Sequence, residues 1–288
     1  MKTSLEHLPE HKQQELQAIA ELIKKAYKVE MIILFGSYAR GNWVEDIHNE
    51  NGTIVEYESD YDLLVILTYE DYTTQLGIEK KLKENLLSNH KVETPVSLIF
   101  HGIKQVNREL REGNYFFSDI KKEGILLYNS EKYKLAERKE LTSEEIKQKA
   151  TNHFEQWFES ANNFYTSFED SFKREHLKEA AFLLHQATER YYVTILLVFT
   201  DYRPKQHNLE ILGQQAETLD KRFKAAFPKT TAEEKHLFEL LKRAYIDARY
   251  KMKEYNISKE ELEYLSKRVK LLKELTEKIC KEKMESIN

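Results

Sequence analysis

Apolar positions recur in two rhythms along this 288-residue chain. Over residues 9–28, Leu16, Ile19, Ala20, Leu22, Ile23 and Ala26 follow the three- and four-residue spacing of one helical face. Met31 to Phe35 is instead a continuous apolar run closed by Gly36, which predicts a buried strand. A helix or tight turn is expected next, over residues 38–40. Residues 42–58 are polar and without a clear period, so they read as a loop insertion. Further strands are expected over 61–67 and 95–100, and helices over 73–89 and 103–112. Residues 115–128 include a further helix closing on the apolar run Ile125 to Tyr128. Strands alternating with helices predict a domain that mixes the two element types.

The rhythm changes after Asn129. From Leu141 onward the pattern is helical throughout, with five amphipathic segments predicted. The first begins at Thr142 and carries Phe154, Trp157, Phe158, Ala161, Phe164, Tyr165 and Phe168. The others span 177–199, 208–226, 231–255 and 258–283. Thr142 with Glu145 and Ser258 with Glu261 have the spacing of capping boxes. Short connections between such segments predict a helical bundle. The boundary is expected between residues 130 and 141, which gives domains of 1–135 and 136–288. The aromatic stripe on the first long helix reads as core or dimer interface rather than as a platform for bases.

Composition narrows the function classes. The formal net charge of -4 offers no global attraction for nucleic acid, so nucleic acid is not an expected partner. The single Cys280 cannot form an internal disulfide, which fits a reducing, cytoplasmic setting. The first residues lack the apolar centre of a signal peptide. The longest apolar run, 191–199, falls far short of the roughly 20 residues that span a bilayer. No membrane partner is expected.

Two short motifs speak about chemistry. The first is Gly36-Ser37-Tyr38-Ala39-Arg40-Gly41 and the second is Ser59-Asp60-Tyr61-Asp62-Leu63. Alternation along a strand points Asp60 and Asp62 to the same face. Two such carboxylates repel each other unless a cation lies between them. Mg²⁺ suits them, because it takes few protein carboxylates and completes its shell with water and substrate phosphate. Gly36 lets the backbone approach phosphate oxygens closely. Ser37 adds a hydroxyl and an N–H, Arg40 is a candidate phosphate ligand, and Ser59 is placed to cap or orient the acids. The polar loop holds Glu45, Asp46, Glu50, Glu56 and Glu58, and reads as a solvated charge run.

Together the two motifs resemble the signature of the polymerase-beta-type nucleotidyltransferase superfamily, over roughly residues 20–100. That resemblance implies an α+β domain with a small mixed sheet, a nucleoside triphosphate donor such as ATP, and metal ions on Asp60 and Asp62. The superfamily usually has a third carboxylate on a neighbouring strand. Here Ser97 holds that place, and Glu93 just upstream is the candidate substitute.

The helical half resembles HEPN domains. The segment from Glu179 through His185, Glu189 and Arg190 to Tyr192 is similar to their second helix. Tyr245-Ile246-Asp247-Ala248-Arg249-Tyr250 is similar to a later segment. HEPN ribonucleases carry an Arg, four to six residues, then a His, and this chain has no such match in that region. His236 is its last histidine. His185 and Glu189, at i and i+4, read either as an intrahelical pair or as part of a polar pocket with Arg243, Arg249 and Tyr250.

The leading expectation is a two-domain nucleotidyltransferase that uses Mg²⁺ and ATP or another NTP on a hydroxyl acceptor. The alternatives are a nucleotide-binding regulator of toxin-antitoxin type and an RNA-directed HEPN protein. Both resemblances imply a homodimer.

Overall fold

The computed structural model describes residues 1–43, 45–50, 53–68, 92–204, 207–251 and 253–288; strands 45–50 and 53–58 are described by backbone alone. The chain divides into two compact units, Met1–Glu140 and Leu141–Asn288.

The first unit is an α+β domain. Helix α1, Glu10–Ala26, packs on a sheet that begins with strand β1, Val29–Phe35. A five-residue helix α2, Gly36–Arg40, follows at once. Strands β2, Glu45–Glu50, and β3, Thr53–Glu58, pair antiparallel where a loop is expected. Ile54, Val55 and Tyr57 supply the β propensity that the acidic neighbours obscure. Strand β4 is Tyr61–Leu67, and β5 is Val96–Gly102. Helices α3, Ile103–Arg111, and α4, Tyr115–Glu123, lead to strand β6, Ile125–Asn129. The helix expected within 115–128 is Tyr115–Glu123, and the apolar run on which it closes is a strand at the sheet edge. Gly124 separates the two elements, with its N–H bonded to the Ile120 carbonyl. The helix expected over 73–89 lies outside the described residues.

The four-stranded sheet has the order β5-β4-β1-β6. β4 and β5 run parallel, whereas β1 is antiparallel to both β4 and β6. The sheet is therefore small and mixed. Leu16, Ile19 and Ile23 of α1 share one core with Ile32 and Leu34 of β1 and with Tyr61, Leu63 and Val65 of β4. Alternation along β4 places Asp60 and Asp62 out of phase with that set, towards the other face.

The second unit is helical. It contains α5, Ser143–Lys173, α6, Leu177–Thr200, and α7, Leu209–Leu219. A 3₁₀ turn at Lys221–Ala225 follows. Then come α8, Ala232–Arg243, the single turn α9, Asp247–Tyr250, and α10, Lys259–Glu285. The expected third and fourth helices are each broken in two. Asp220 stops α7 and caps the 3₁₀ turn, and Ala244 to Ile246 form a turn between α8 and α9. Capping boxes open α5, α8 and α10. Among the described residues no helix is long and apolar enough to cross a membrane.

Candidate functional site

The two sequence motifs meet where β1 ends. Phe35 is the register partner of Asp62 across the antiparallel β1–β4 pair. Gly36, the next residue, therefore lies directly against the Asp62 side chain. A Cβ built on Gly36 would sit 2.1 Å from Asp62 Oδ2, and the Gly36 φ is +74°. Both facts require glycine there: one by lack of space, the other by left-handed backbone. The Ser37 carbonyl accepts the N–H groups of Gly41 and Asn42 at 2.9 and 3.1 Å, which closes the turn.

Asp60 and Asp62 are half-buried and keep some access to solvent. Burial raises the pKa of Asp60. Asp62 is pushed up to about 8, first by burial and then by the Asp60 charge, with Arg40 opposing. The pair is thus short of positive charge. Arg40 Nη1 lies 4.0 Å from Glu123 Oε2, so its guanidinium is shared with α4. Two neighbouring carboxylates whose charged forms are disfavoured by burial and by each other form a donor set suited to a hard divalent cation. On the strand beside them, Ser97 is in register with Asp62. Among the described residues no group of three or more His, Cys, Asp or Glu side chains is gathered to hold an ion.

The model of the family described as Polymerase beta, Nucleotidyltransferase matches residues 17–133, and that of the HEPN domain matches residues 154–279. The chain joins a polymerase-beta nucleotidyltransferase domain to a HEPN domain. No curated protein matches it.

The nucleotidyltransferase domain holds its acid-bearing strand from behind. Tyr61, between the two aspartates, is fully buried on the α1 face. Its hydroxyl donates to Glu15 Oε2 at 2.7 Å. Thr94 Oγ1 donates to the same oxygen at 2.8 Å, and the Glu93 N–H donates to Glu15 Oε1 at 3.1 Å. Lys12 Nζ donates to Thr94 Oγ1 at 2.6 Å. The Tyr61 N–H reaches the Pro95 carbonyl at 2.8 Å. One carboxylate on α1 therefore ties the start of β4 to the segment entering β5. Burial alone would raise the Glu15 pKa, but the bonds from Tyr61, Glu93 and Thr94 hold it below the usual value. The sequence reading missed Glu15 because a helical charge is normally solvated. The available signal was its spacing, since Lys12, Glu15, Ile19 and Ile23 continue one helical stripe.

Glu93 itself lines a cleft with the α1 residues His11, Gln14, Glu15, Ala18 and Glu21. That cleft is on the Tyr61 side of the sheet. Ser59 is half-buried at the entrance to β4.

In the HEPN domain His185 and Glu189 form more than an intrahelical pair. His185 is 1% exposed, and its Nδ1 is 2.9 Å from the Leu241 carbonyl. Its Nε2 is 3.8 Å from Glu189 Oε2, too long for a hydrogen bond. His207 Nδ1 is 2.9 Å from Glu189 Oε1. The Tyr245 ring stacks with both imidazoles, at centroid distances of 5.2 and 4.8 Å. The Arg249 guanidinium also lies over Tyr245, at 4.6 Å. Arg243 is engaged elsewhere, with its Nε 2.7 Å from Asp247 Oδ2. Tyr250 is exposed. His207, on the connection between α6 and α7, is thus the second histidine on Glu189. Of the aromatic stripe on α5, Phe168 belongs to the buried core, and Phe154, Phe158, Phe164 and Tyr165 are partly buried and pack against it.

Proposed function

We propose that the chain is a Mg²⁺-dependent nucleotidyltransferase that moves the nucleoside monophosphate of ATP, or of another NTP, onto a hydroxyl acceptor and releases pyrophosphate. The observation that carries this reading is the contact between Gly36 and the Asp62 carboxylate. It brings the glycine-serine turn against the acid pair, so that polyphosphate and cation share one place.

Asp60 and Asp62 would hold the ion, which when bound supplies charge neutralisation for the triphosphate and polarises its phosphoryl oxygens. Gly36 leaves room for phosphate oxygens at the backbone, and Ser37 offers them a hydroxyl. Arg40 adds positive charge at the far end of α2, and Ser59 orients the strand entrance. Glu15, Tyr61 and Thr94 keep both aspartates in place, so that little reorganisation is needed when the donor binds. Glu93, weighed above as a third carboxylate, belongs on this reading to the α1 cleft. The acceptor is a small hydroxyl compound or the Tyr or Ser side chain of a protein. A cytoplasmic homodimer is part of the same reading.

The test is pyrophosphate release from ATP with Mg²⁺. Asp60→Asn and Asp62→Asn should each abolish release while leaving the circular dichroism spectrum intact. Unchanged release in either variant defeats the assignment. A second reading, a nucleotide-binding regulator with negligible turnover, is favoured by Ser97 standing in register with Asp62, where a third carboxylate would complete the site. Calorimetric binding of ATP and Mg²⁺ without any pyrophosphate release would support that reading instead.

A further inference from the structure

Trp157 stands apart from the other aromatic residues of α5. Two guanidinium groups lie over its indole ring, Arg203 at 4.7 Å and Arg190 at 5.2 Å from the centroid. Arg190 also lies 4.8 Å from the Phe164 ring centroid. Among the described residues neither guanidinium has a carboxylate partner or a hydrogen-bond acceptor. Arg190 Nε is enclosed and unpartnered, and so is Gln186 Nε2, one helical turn earlier on the same face of α6. Enclosed donors without acceptors are rare in folded proteins and point to a missing acceptor.

Of the nearby acids, Asp201 is engaged through both oxygens and Glu189 through one. Asp201 accepts Lys149 Nζ at 2.7 Å and lies 2.7 Å from His153 Nε2. Glu189 Oε1 is taken up by His207, whereas its Oε2 makes no hydrogen bond and lies 3.8 Å from His185 Nε2. The patch is therefore rich in donors and poor in acceptors. Burial lowers the Arg190 pKa, the Glu189 charge opposes this, and the Arg203 charge acts with burial. Two cations are held side by side with only the Glu189 charge acting to offset them, a cost that a further anion would reduce. The flat indole keeps both forks oriented by cation–π contact, so less side-chain freedom is lost when they engage a ligand.

We propose that Arg190 and Arg203, set on Trp157, form a binding site for a phosphate group. The guanidinium fork matches phosphate oxygens in two-point contacts, and the Gln186 amide adds a neutral donor. The phosphate comes either from a small polyphosphate or from the backbone of a single-stranded polynucleotide.

The chain has two tryptophans, Trp43 and Trp157, so Trp43→Phe leaves Trp157 as sole reporter. The full-length protein is titrated in EDTA, at constant ionic strength, with inorganic pyrophosphate in one arm and a 12-nucleotide single-stranded RNA in the other. Trp157 emission is read alongside calorimetry. The expected result is saturable binding that weakens at least about tenfold in Arg203→Gln and is partly retained in Arg203→Lys. Arg203 is exposed, so its replacement does not threaten the fold. Arg190→Gln should weaken binding as well. Saturation by pyrophosphate identifies a small-molecule phosphate, and saturation by RNA alone identifies a backbone phosphate; both support the site provided Arg203→Gln weakens them. Absence of saturation in both arms, or equal binding by Arg203→Gln, overturns the proposal.

Discussion

Two carboxylate clusters in this chain show opposite responses to burial. In the nucleotidyltransferase domain, burial raises Asp62 and the Asp60 charge raises it further. In the HEPN domain, burial pushes Glu189 up, but the imidazoles of His185 and His207 hold it below the ordinary value. The shorter contact there is the one with His207. The difference lies in who supplies the counter-charge. Glu189 receives it from its own chain, through one oxygen bonded to His207 and the other facing His185 at 3.8 Å. Of the acid pair, Asp62 receives only part of it, from an Arg40 whose guanidinium also leans on Glu123. An acid pair left short of positive charge is organised for something brought from outside.

The largest effect on that contrast should come from Gly36→Ala. A methyl group 2.1 Å from Asp62 Oδ2 must displace that carboxylate, and the φ of +74° adds strain. We expect pyrophosphate release to fall by about 100-fold or more, since misplacement by about 1 Å costs that much. The left-handed backbone should also cost about 1–2 kcal/mol of stability. Release within twofold of wild type would mean that the close approach is irrelevant to catalysis.

The pH dependence of stability should separate the two clusters next. Asp62 has a folded pKa raised from 3.8 to about 8. Its contribution is present below the unfolded value and is lost as pH rises through the folded one. Without divalent ions, the wild type should therefore lose stability relative to Asp62→Asn between about pH 4 and pH 8. Adding Mg²⁺ should restore more stability near the top of that window than near the bottom. Glu189 has the opposite sign. Its contribution is present above the ordinary carboxylate value of 4.5 and is lost on acidification through a lower folded pKa. Glu189→Gln should accordingly flatten the acid side of the profile and leave the alkaline side alone. Thermal unfolding of the three proteins across pH reads all of this, and parallel curves would show that the two clusters do not differ.

A smaller effect is expected where the nucleotidyltransferase domain resembles the HEPN cluster, in the internally satisfied carboxylate Glu15. Glu15→Gln keeps the shape but replaces one acceptor oxygen by a donor that must face Tyr61, Thr94 or the Glu93 N–H. The loss should be about 1–3 kcal/mol, the usual cost of leaving a buried polar group unmatched. Release should decline moderately, because Tyr61 sits between the two aspartates. If stability falls while release per folded molecule is unchanged, Glu15 supports the fold alone.

How much of this was legible before folding depends on whether a residue acts through its neighbours in sequence. Gly36, Asp60 and Asp62 could be read because a buried run ending in glycine and a two-residue alternation are local patterns. The strands Tyr61–Leu67 and Val96–Gly102 were legible from the same kind of run. The ribbon of 45–50 and 53–58 was not, because its charges suggest solvation while pairing needs only backbone hydrogen bonds. Glu15, 79 positions from its partner Thr94, has no local signature for that role. Nor does His207, which reaches Glu189 across 18 positions and a turn. The break at Ala244 to Ile246 was hidden because none of its residues is a helix breaker.

His207→Ala should give the smallest change and tests whether the HEPN cluster is as complete as the contrast requires. His207 is 45% exposed at its side chain, so little apolar area is lost with it. What is lost is the 2.9 Å bond to Glu189 Oε1 and one stacking face on Tyr245. Glu189 would then keep only His185, at 3.8 Å, and its pKa should rise towards the value that burial dictates. A loss of about 1 kcal/mol is expected for one such bond. His207→Gln, which can still donate to Glu189, should recover part of it. Pyrophosphate release should not move, because His207 belongs to the cluster that needs no external cation. A fall in release would show that the self-contained cluster also serves the chemistry, and the division between a complete and an incomplete acid site would have to be abandoned.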